Sequence, residues 1–552
     1  MKTIEGRSKL RILEALAFFA VAVPAIAVPP GKTPQIPRIR VSTRLVKIGI
    51  IARDKNGPVT NLTKSDFVVL DRGKGRDISF FSMEASAAAS HAPAASTSAA
   101  ARNTFSDVPQ RGVEQARSVT IVLLDNLNTL TGAPVPYEDT PYWLEAHALA
   151  NAKQHLIEFL KHRDPNDRIA IYGLRQRLHV LCDFTCNEDE LMAVVSKYDA
   201  RSQTQREVAE PGDVHLPNAE DLSEKIDEDS QAMAAISNQF RAETTAAALR
   251  AIAAHVNGIP GRKNLLWLTA NLPFSGHSLA SILSPANISV YPVDARGLLP
   301  RSPDDSGERA ADDMKYVFGT RGGPPAMSPQ PIGIGAMEDI ADDTGGRAFV
   351  NTNDLTGAIR QAVEDSELTY TLGFYIGQDS LDGKFHQLKI EVKRSGVTLR
   401  YPRGYFAFAD TPATQDQNRS NVLAAVRSPI ESSTIPVQVR IDRVEKPLAH
   451  CLSIFGSIEI GKLQLAENAG IRKGAANVIT IEQDETGKVL AQSASRIQFR
   501  LTGKEYAEYL TKGFPFHQFV QPRAGTTTLR ILVEDTTTAE VGSLIIPLSQ
   551  IQ

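Results

Sequence analysis

Four apolar residues in "IVLLDNLNT", residues 121–129, run into Asp125, and Asn128 and Thr129 follow it closely. A carboxylate, an amide oxygen and a hydroxyl at the end of a buried strand suit a hard divalent cation. Mg²⁺ takes oxygen ligands at about 2.0–2.1 Å and keeps several waters, so few protein groups suffice. The same residues also suit a polar turn, because Asx side chains readily hydrogen-bond the backbone just after them. Further along, "ETT" supplies Thr244 and Thr245, "LTAN" ends in Asn271, and "VYPVDARGL" carries Asp294 with Arg296 two residues on. Asp294 could support a weakened cation site from behind the direct ligands, or Arg296 could pair with it or fill the cation's position.

Two other motifs raise enzymatic readings. "GHSLA", Gly276–Ala280, has the form of a nucleophile elbow, which would make Ser278 the nucleophile of a hydrolase. Six residues separate it from the strand "NLLWLTA", too many for the tight strand-to-helix turn an elbow needs, so a helix N-terminus capped by Ser275 or Ser278 is expected instead. The acidic stretch 302–315 lacks the spacing of an EF-hand loop and reads as a solvated helix. His277 is expected in a loop, and residues 319–335 form a Gly/Pro-rich loop. Trp143 and Trp267 fall within elements and read as core residues. The Gly-Lys-Ser/Thr phosphate loop is absent, which argues against an NTPase.

These residues sit in a long chain. At ~150 residues per domain, 552 residues imply several domains. Lys2, Arg7, Lys9 and Arg11 precede an apolar run, and "AIA" follows, so residues 1–27 read as an export signal or an uncleaved anchor. No later stretch approaches the ~20 apolar residues of a membrane span. Sixty Lys and Arg against 63 Asp and Glu give a net charge of −3, which argues against nucleic-acid binding. Three cysteines cannot build a disulfide framework; Cys182 and Cys186 could pair locally or simply occupy a turn, leaving Cys451 single.

Period-two patterning marks an N-terminal β module at 35–84, followed by an Ala/Ser-rich linker at 85–116. From 117 to 368, strands alternate with helices, which implies an open, mostly parallel sheet with helices on both faces. In such sheets ligands bind at the carboxyl ends of the strands, where Asp125 is expected. Strands return at 369–410 and are expected to complete the N-terminal module. A linker at 411–429 leads to a C-terminal β-sandwich at 430–552.

The order of elements in 117–368, with "VTNLTKSDFVVLDRGKGRDISFF", "LLDNLNT", "GRKNLLWLT", "YPVDARGL", "IADDTGGRAF" and "YTLGFYIGQDSLDGKFHQLKIEVKR", resembles the von Willebrand factor A-related exported proteins of acidobacteria. The resemblance implies a von Willebrand A-like α/β fold with a doubly wound, mostly parallel sheet and flanking β-sandwich-like modules. It also implies a binding or assembly role without an assigned activity. That family's metal-ion-dependent adhesion site uses D-x-S-x-S, a threonine from a later loop and an aspartate after the fourth strand. Here Asp125, Thr129 and Thr245 match, with Thr244 as an alternative, whereas Leu127 and Ala270 stand where oxygen ligands belong. The site is therefore degenerate, with weak binding of Mg²⁺ or another divalent cation at most. The reading that results is an exported, non-enzymatic protein-binding or scaffold protein. Its docking rim would comprise Asp125, Asn128, Thr129, Thr244, Thr245, Asn271 and Asp294, and a metal- or serine-dependent hydrolase or a purely structural envelope component are the alternatives.

Overall fold

The computed structural model describes residues 43–85, 103–107, 118–129, 142–164, 167–198, 220–259, 261–272, 276–297, 333–365, 367–409, 412–446 and 450–551. All of them belong to one compact unit, Thr43–Gln552. The expected export signal, the acidic stretch 302–315 and most of the Gly/Pro-rich loop lie outside the described residues, as do Ser275 and the side chains of Trp143 and His277. No helix among the described residues is long and apolar enough to cross a membrane.

The central region is built on five strands: β1 (Ser118–Asp125), β2 (Asp167–Leu174), β3 (Leu178–Cys182), β4 (Lys263–Thr269) and β5 (Ile288–Asp294). Their order is β5-β4-β1-β2-β3, and every neighbouring pair is parallel except β2 with β3. The segment "RAFV" contributes a single parallel bridge from Phe349 to Val293. The helices are α1 (Asn126–Thr129), α2 (Tyr142–Lys161), α3 (Glu188–Lys197), α4 (Glu220–Val256), α5 (Gly276–Leu283), α6 (Ile334–Thr344) and α7 (Leu355–Glu364).

Because β1 is the middle strand, both of its faces must be apolar, which is why it reads as an unbroken run. Ile121 and Leu123 pack with Leu249 and Ile252 of α4, Leu279 of α5 and Met337 of α6. Val122 and Leu124 pack on the opposite face with Leu149 and Leu156 of α2, Val195 of α3 and Ile359 of α7. Burying such side chains stabilises the fold by roughly 1.5–3 kcal/mol each.

The chain leaves α7 directly into the strand Leu368–Gly377, which pairs antiparallel with Thr43–Asp54 on one side and Phe80–Ala85 on the other. A second sheet joins Phe67–Asp71 to Phe385–Val392, and Ile50, Phe67, Tyr370 and Phe374 fill the space between. Arg53 of Thr43–Asp54 and Arg400 of the short strand Thr398–Arg400 beside it both pair with the buried Asp365, just beyond α7.

The C-terminal region contains a six-stranded and a four-stranded sheet, sharing a core that includes Ile441, Ile454, Val478 and Leu529. Two segments expected as linkers contribute to it. Thr104–Ser106 adds an edge strand to Val437–Val444, and the buried Asp107 accepts the Val437 N–H at 2.9 Å. Residues 415–427 form a helix with a Thr414–Gln417 capping box, and Val422 and Val426 pack beside Leu532. Both segments are short or polar, so composition hid the few apolar residues that anchor them.

Cys182 and Cys186 are joined by a disulfide, and Cys451 is buried and free.

Candidate functional site

The sheet brings Asp125, Asn128, Thr129 and Thr245 together at the carboxyl edge of β1. Asp125 is the last residue of β1, and α1 follows without an intervening loop. That turn aims the backbone N–H of Asn128 back at Asp125 Oδ1, at 2.9 Å. The side-chain Nδ2 of Asn128 donates to Asp125 Oδ2 at 2.8 Å and to Thr245 Oγ1 at 3.0 Å. Thr129 Oγ1 donates to the Asp125 carbonyl and accepts the Ala270 N–H at 3.2 Å. The neighbouring Asn126 accepts a hydrogen bond from Tyr198 Oη at 2.8 Å.

Sequence reasoning missed one participant. Trp267, read as a plain core residue, is fully buried in β4, yet its indole N–H donates to Asp125 Oδ2 at 2.8 Å. The signal was available: β4 neighbours β1, and a buried indole N–H requires an acceptor. Asp125 therefore accepts hydrogen bonds from the Asn128 backbone and side chain and from Trp267, all neutral donors, and is wholly buried. Burial pushes its pKa up, and the hydrogen bonds from Asn128 and Trp267 oppose that shift.

Other candidates are placed differently. The family resemblance placed Thr245 on a loop before a helix, whereas the helical reading of "ETTAAALRAIAAHV" holds: Thr245 lies well inside the 37-residue α4. The preceding stretch lacks proline and glycine and is rich in alanine, so helix formation continues through "ETT". Thr244 is half-buried on the same helix. Asp294 is engaged by Arg296, whose Nε and Nη2 approach its two carboxylate oxygens at 2.9 Å each. Of the two roles considered for Arg296, the structure shows the pairing with Asp294. Asn271 hydrogen-bonds Thr269 through its backbone, and its side-chain Oδ1 is buried without a partner. The elbow reading fails on geometry: β4 ends at Thr269 and α5 begins at Gly276, with Ser278 exposed on its first turn.

These residues do not fit a divalent cation. Both Asp125 oxygens already accept N–H groups, and an amide nitrogen lies between the carboxylate and Thr245. Leu127 packs against the core, and Ala270 offers no side-chain oxygen. Among the described residues, no group of three or more His, Cys, Asp or Glu side chains is arranged to hold a metal. The expected rim is also closed: Asp125, Asn128, Thr129, Thr245 and Asn271 are all buried. Carboxylate and hydroxyl groups do gather at one edge, but they face one another.

No family model and no curated protein matches the chain. Among solved structures, an aerotolerance-related membrane protein from Bacteroides fragilis is similar at 13% identity over 45% of this chain and 98% of its own, with a TM-score of 0.24. BatB from Bacteroides thetaiotaomicron gives 14%, 45%, 98% and 0.24 for the same measures. Proximal thread matrix protein 1 of the mussel byssus, described with a zinc-occupied MIDAS motif, gives 9%, 46%, 47% and 0.22. At such TM-scores these likenesses carry no argument, and the reading of this chain rests on its own geometry.

Proposed function

We propose that the chain is an exported, non-enzymatic scaffold or protein-binding protein built on a von Willebrand A-like, doubly wound sheet. The observation that carries this reading is the closed network at Asp125, because the position where such sheets place reactive or ligand-binding groups is occupied by internal hydrogen bonds. The Cys182–Cys186 disulfide suits an oxidising compartment. We divide the chain into a split β module (43–85 with 367–409), a central α/β domain (118–365) and a C-terminal sandwich (412–551).

Among the described residues, α4 carries accessible apolar side chains beside this edge. Thr245 marks the level of the strand ends, and at 1.5 Å per residue the helix extends about 37 Å before it. On that extension Ile236 is 64% exposed and Phe240, one turn later, 49%. An exposed apolar pair at this spacing is a protein-contact feature. In this reading Asp125, Asn128, Thr129 and Thr245 brace the helix, while Thr244, Asn271 and Asp294 complete the edge. An Ile236→Glu/Phe240→Glu chain should lose cross-linking to its envelope partner at unchanged unfolding midpoint. Equal cross-linking by this variant and the parent would sink the proposed surface.

A further inference from the structure

The Asp125 edge has an unusual arrangement of donors and acceptors. An uncoordinated carboxamide offers two N–H donors and one oxygen acceptor. In Asn128 both donors are used, one on Asp125 Oδ2 at 2.8 Å and one on Thr245 Oγ1 at 3.0 Å. Its Oδ1 is buried with no hydrogen-bond partner. Leaving an acceptor unmet costs roughly 1–3 kcal/mol, so the opposite orientation of the amide must be worse. Turning it over would press Oδ1 against the Asp125 carboxylate at 2.8 Å, a repulsion that a hydrogen bond from the Thr245 hydroxyl would not offset. Only a positive centre between these oxygens would favour that orientation.

The single atom that joins carboxylate to hydroxyl is therefore a nitrogen at hydrogen-bond distance. A metal ion joining the same oxygens would require separations nearer 2.1 Å. The remaining oxygens are engaged as well: Trp267 holds Asp125 Oδ2, the Asn128 N–H holds Oδ1, and Thr129 Oγ1 is tied between the Asp125 carbonyl and the Ala270 N–H. These contacts connect β1, α4 and β4 directly.

We propose that the Asn128 carboxamide takes the place of a divalent cation, bridging Asp125 to Thr245 so that this edge of the sheet assembles without metal. The arrangement ties α4 to the sheet permanently, whereas a bound ion would make that tie conditional on ion supply. This inference stands apart from the choice of partner surface on α4, since it concerns only how the helix is held.

The test uses the full chain with Mn²⁺ as the probe, read by thermal unfolding and by calorimetric titration. The parent chain should show the same unfolding midpoint in chelator and in Mn²⁺, and no saturable binding heat. Asn128→Asp places a second carboxylate beside Asp125. It should unfold earlier in chelator and recover in Mn²⁺, with a saturable one-to-one binding heat that the parent lacks. Asn128→Leu, which removes the bridge and supplies no ligand, should unfold earlier with no recovery. One-to-one Mn²⁺ binding by the parent that disappears in Asp125→Ala would overturn the proposal. A folded Asn128→Asp chain without a saturable Mn²⁺ shift, or an Asn128→Leu chain as stable as the parent, would also overturn it. Should the aspartate variant fail to fold, the parent titration and the leucine variant still decide.

Discussion

Where α4 meets the C-terminal sandwich, Glu431 offers a quantitative test of how the two regions are joined. Its side chain accepts the Ile545 N–H at 2.8 Å, and its carbonyl meets His255 Nδ1 at 3.0 Å. Ser433, two residues on, donates to the His255 carbonyl at 2.6 Å. Burial raises the Glu431 pKa from 4.5 to about 7, against the opposing effects of the Ile545 N–H and the charges of His255 and Arg530. A carboxyl raised on folding holds a proton that the unfolded chain has already released. Stability therefore falls as pH rises between 4.5 and about 7, and above that window the folded state bears a cost of about 3 kcal/mol.

His255 acts in the same direction. Burial alone would lower its pKa, but the hydrogen bond and charge of Asp183 outweigh burial and raise it. Its contribution is thus complete in mild acid and lost as pH rises through the raised value. Asp183, lowered by His255 against its own burial, contributes above its unfolded pKa and loses that only in stronger acid. Glu431→Gln keeps an oxygen for Ile545 and removes one titration. Urea midpoints from about pH 5 to about pH 8 should fall more steeply for the parent than for the variant, which should gain up to about 3 kcal/mol at the alkaline end. Parallel pH profiles would refute the argument.

Trp267→Phe should lower stability by at least about 2–4 kcal/mol, because Asp125 loses a buried donor and the smaller ring leaves a cavity in the core; urea unfolding followed by circular dichroism measures it. Lys263 is 2% exposed, and burial lowers its pKa to about 7 despite the charge of Glu84. A lysine depressed on folding weakens the fold below that pKa, and the penalty fades as pH rises towards 10.5. Lys263→Met should therefore stabilise by about 1–4 kcal/mol in mild acid and by less in alkali, and an equal gain at both would contradict this account. Gly346→Ala should be among the most damaging single-atom additions, since its Cβ would lie 1.8 Å from the Val290 carbonyl oxygen. A loss above about 3 kcal/mol is expected, read as reduced soluble yield and an early unfolding midpoint.

Local sequence carries the elements well. The apolar run of β1 reads as a strand buried on both faces because it is short and β-branched, and the alternation in "TYTLGFYI" marks a strand whatever it pairs with. Pairing is another matter. Thr43 lies opposite Gly377, and no local signal can specify a register across so much chain. The same limit applies to Thr104–Ser106, whose partner strand begins at Val437. In α4, alanine-rich composition signalled an unbroken helix through Thr245, and the expectation of a loop came from the resemblance rather than from propensity.

The sequence by itself determined that an aspartate, an asparagine and a threonine would close the central strand, and that Leu127 and Ala270 would bring no side-chain oxygen to it. It could not determine that the Asn128 amide would turn its nitrogen towards both Asp125 and Thr245, that Trp267 would complete the carboxylate's shell, or that the whole group would be shut away from solvent. Hydrogen-bond partners are selected by distance and direction in the folded chain. Residues far apart in sequence acquire that geometry only when sheet and helix pack together.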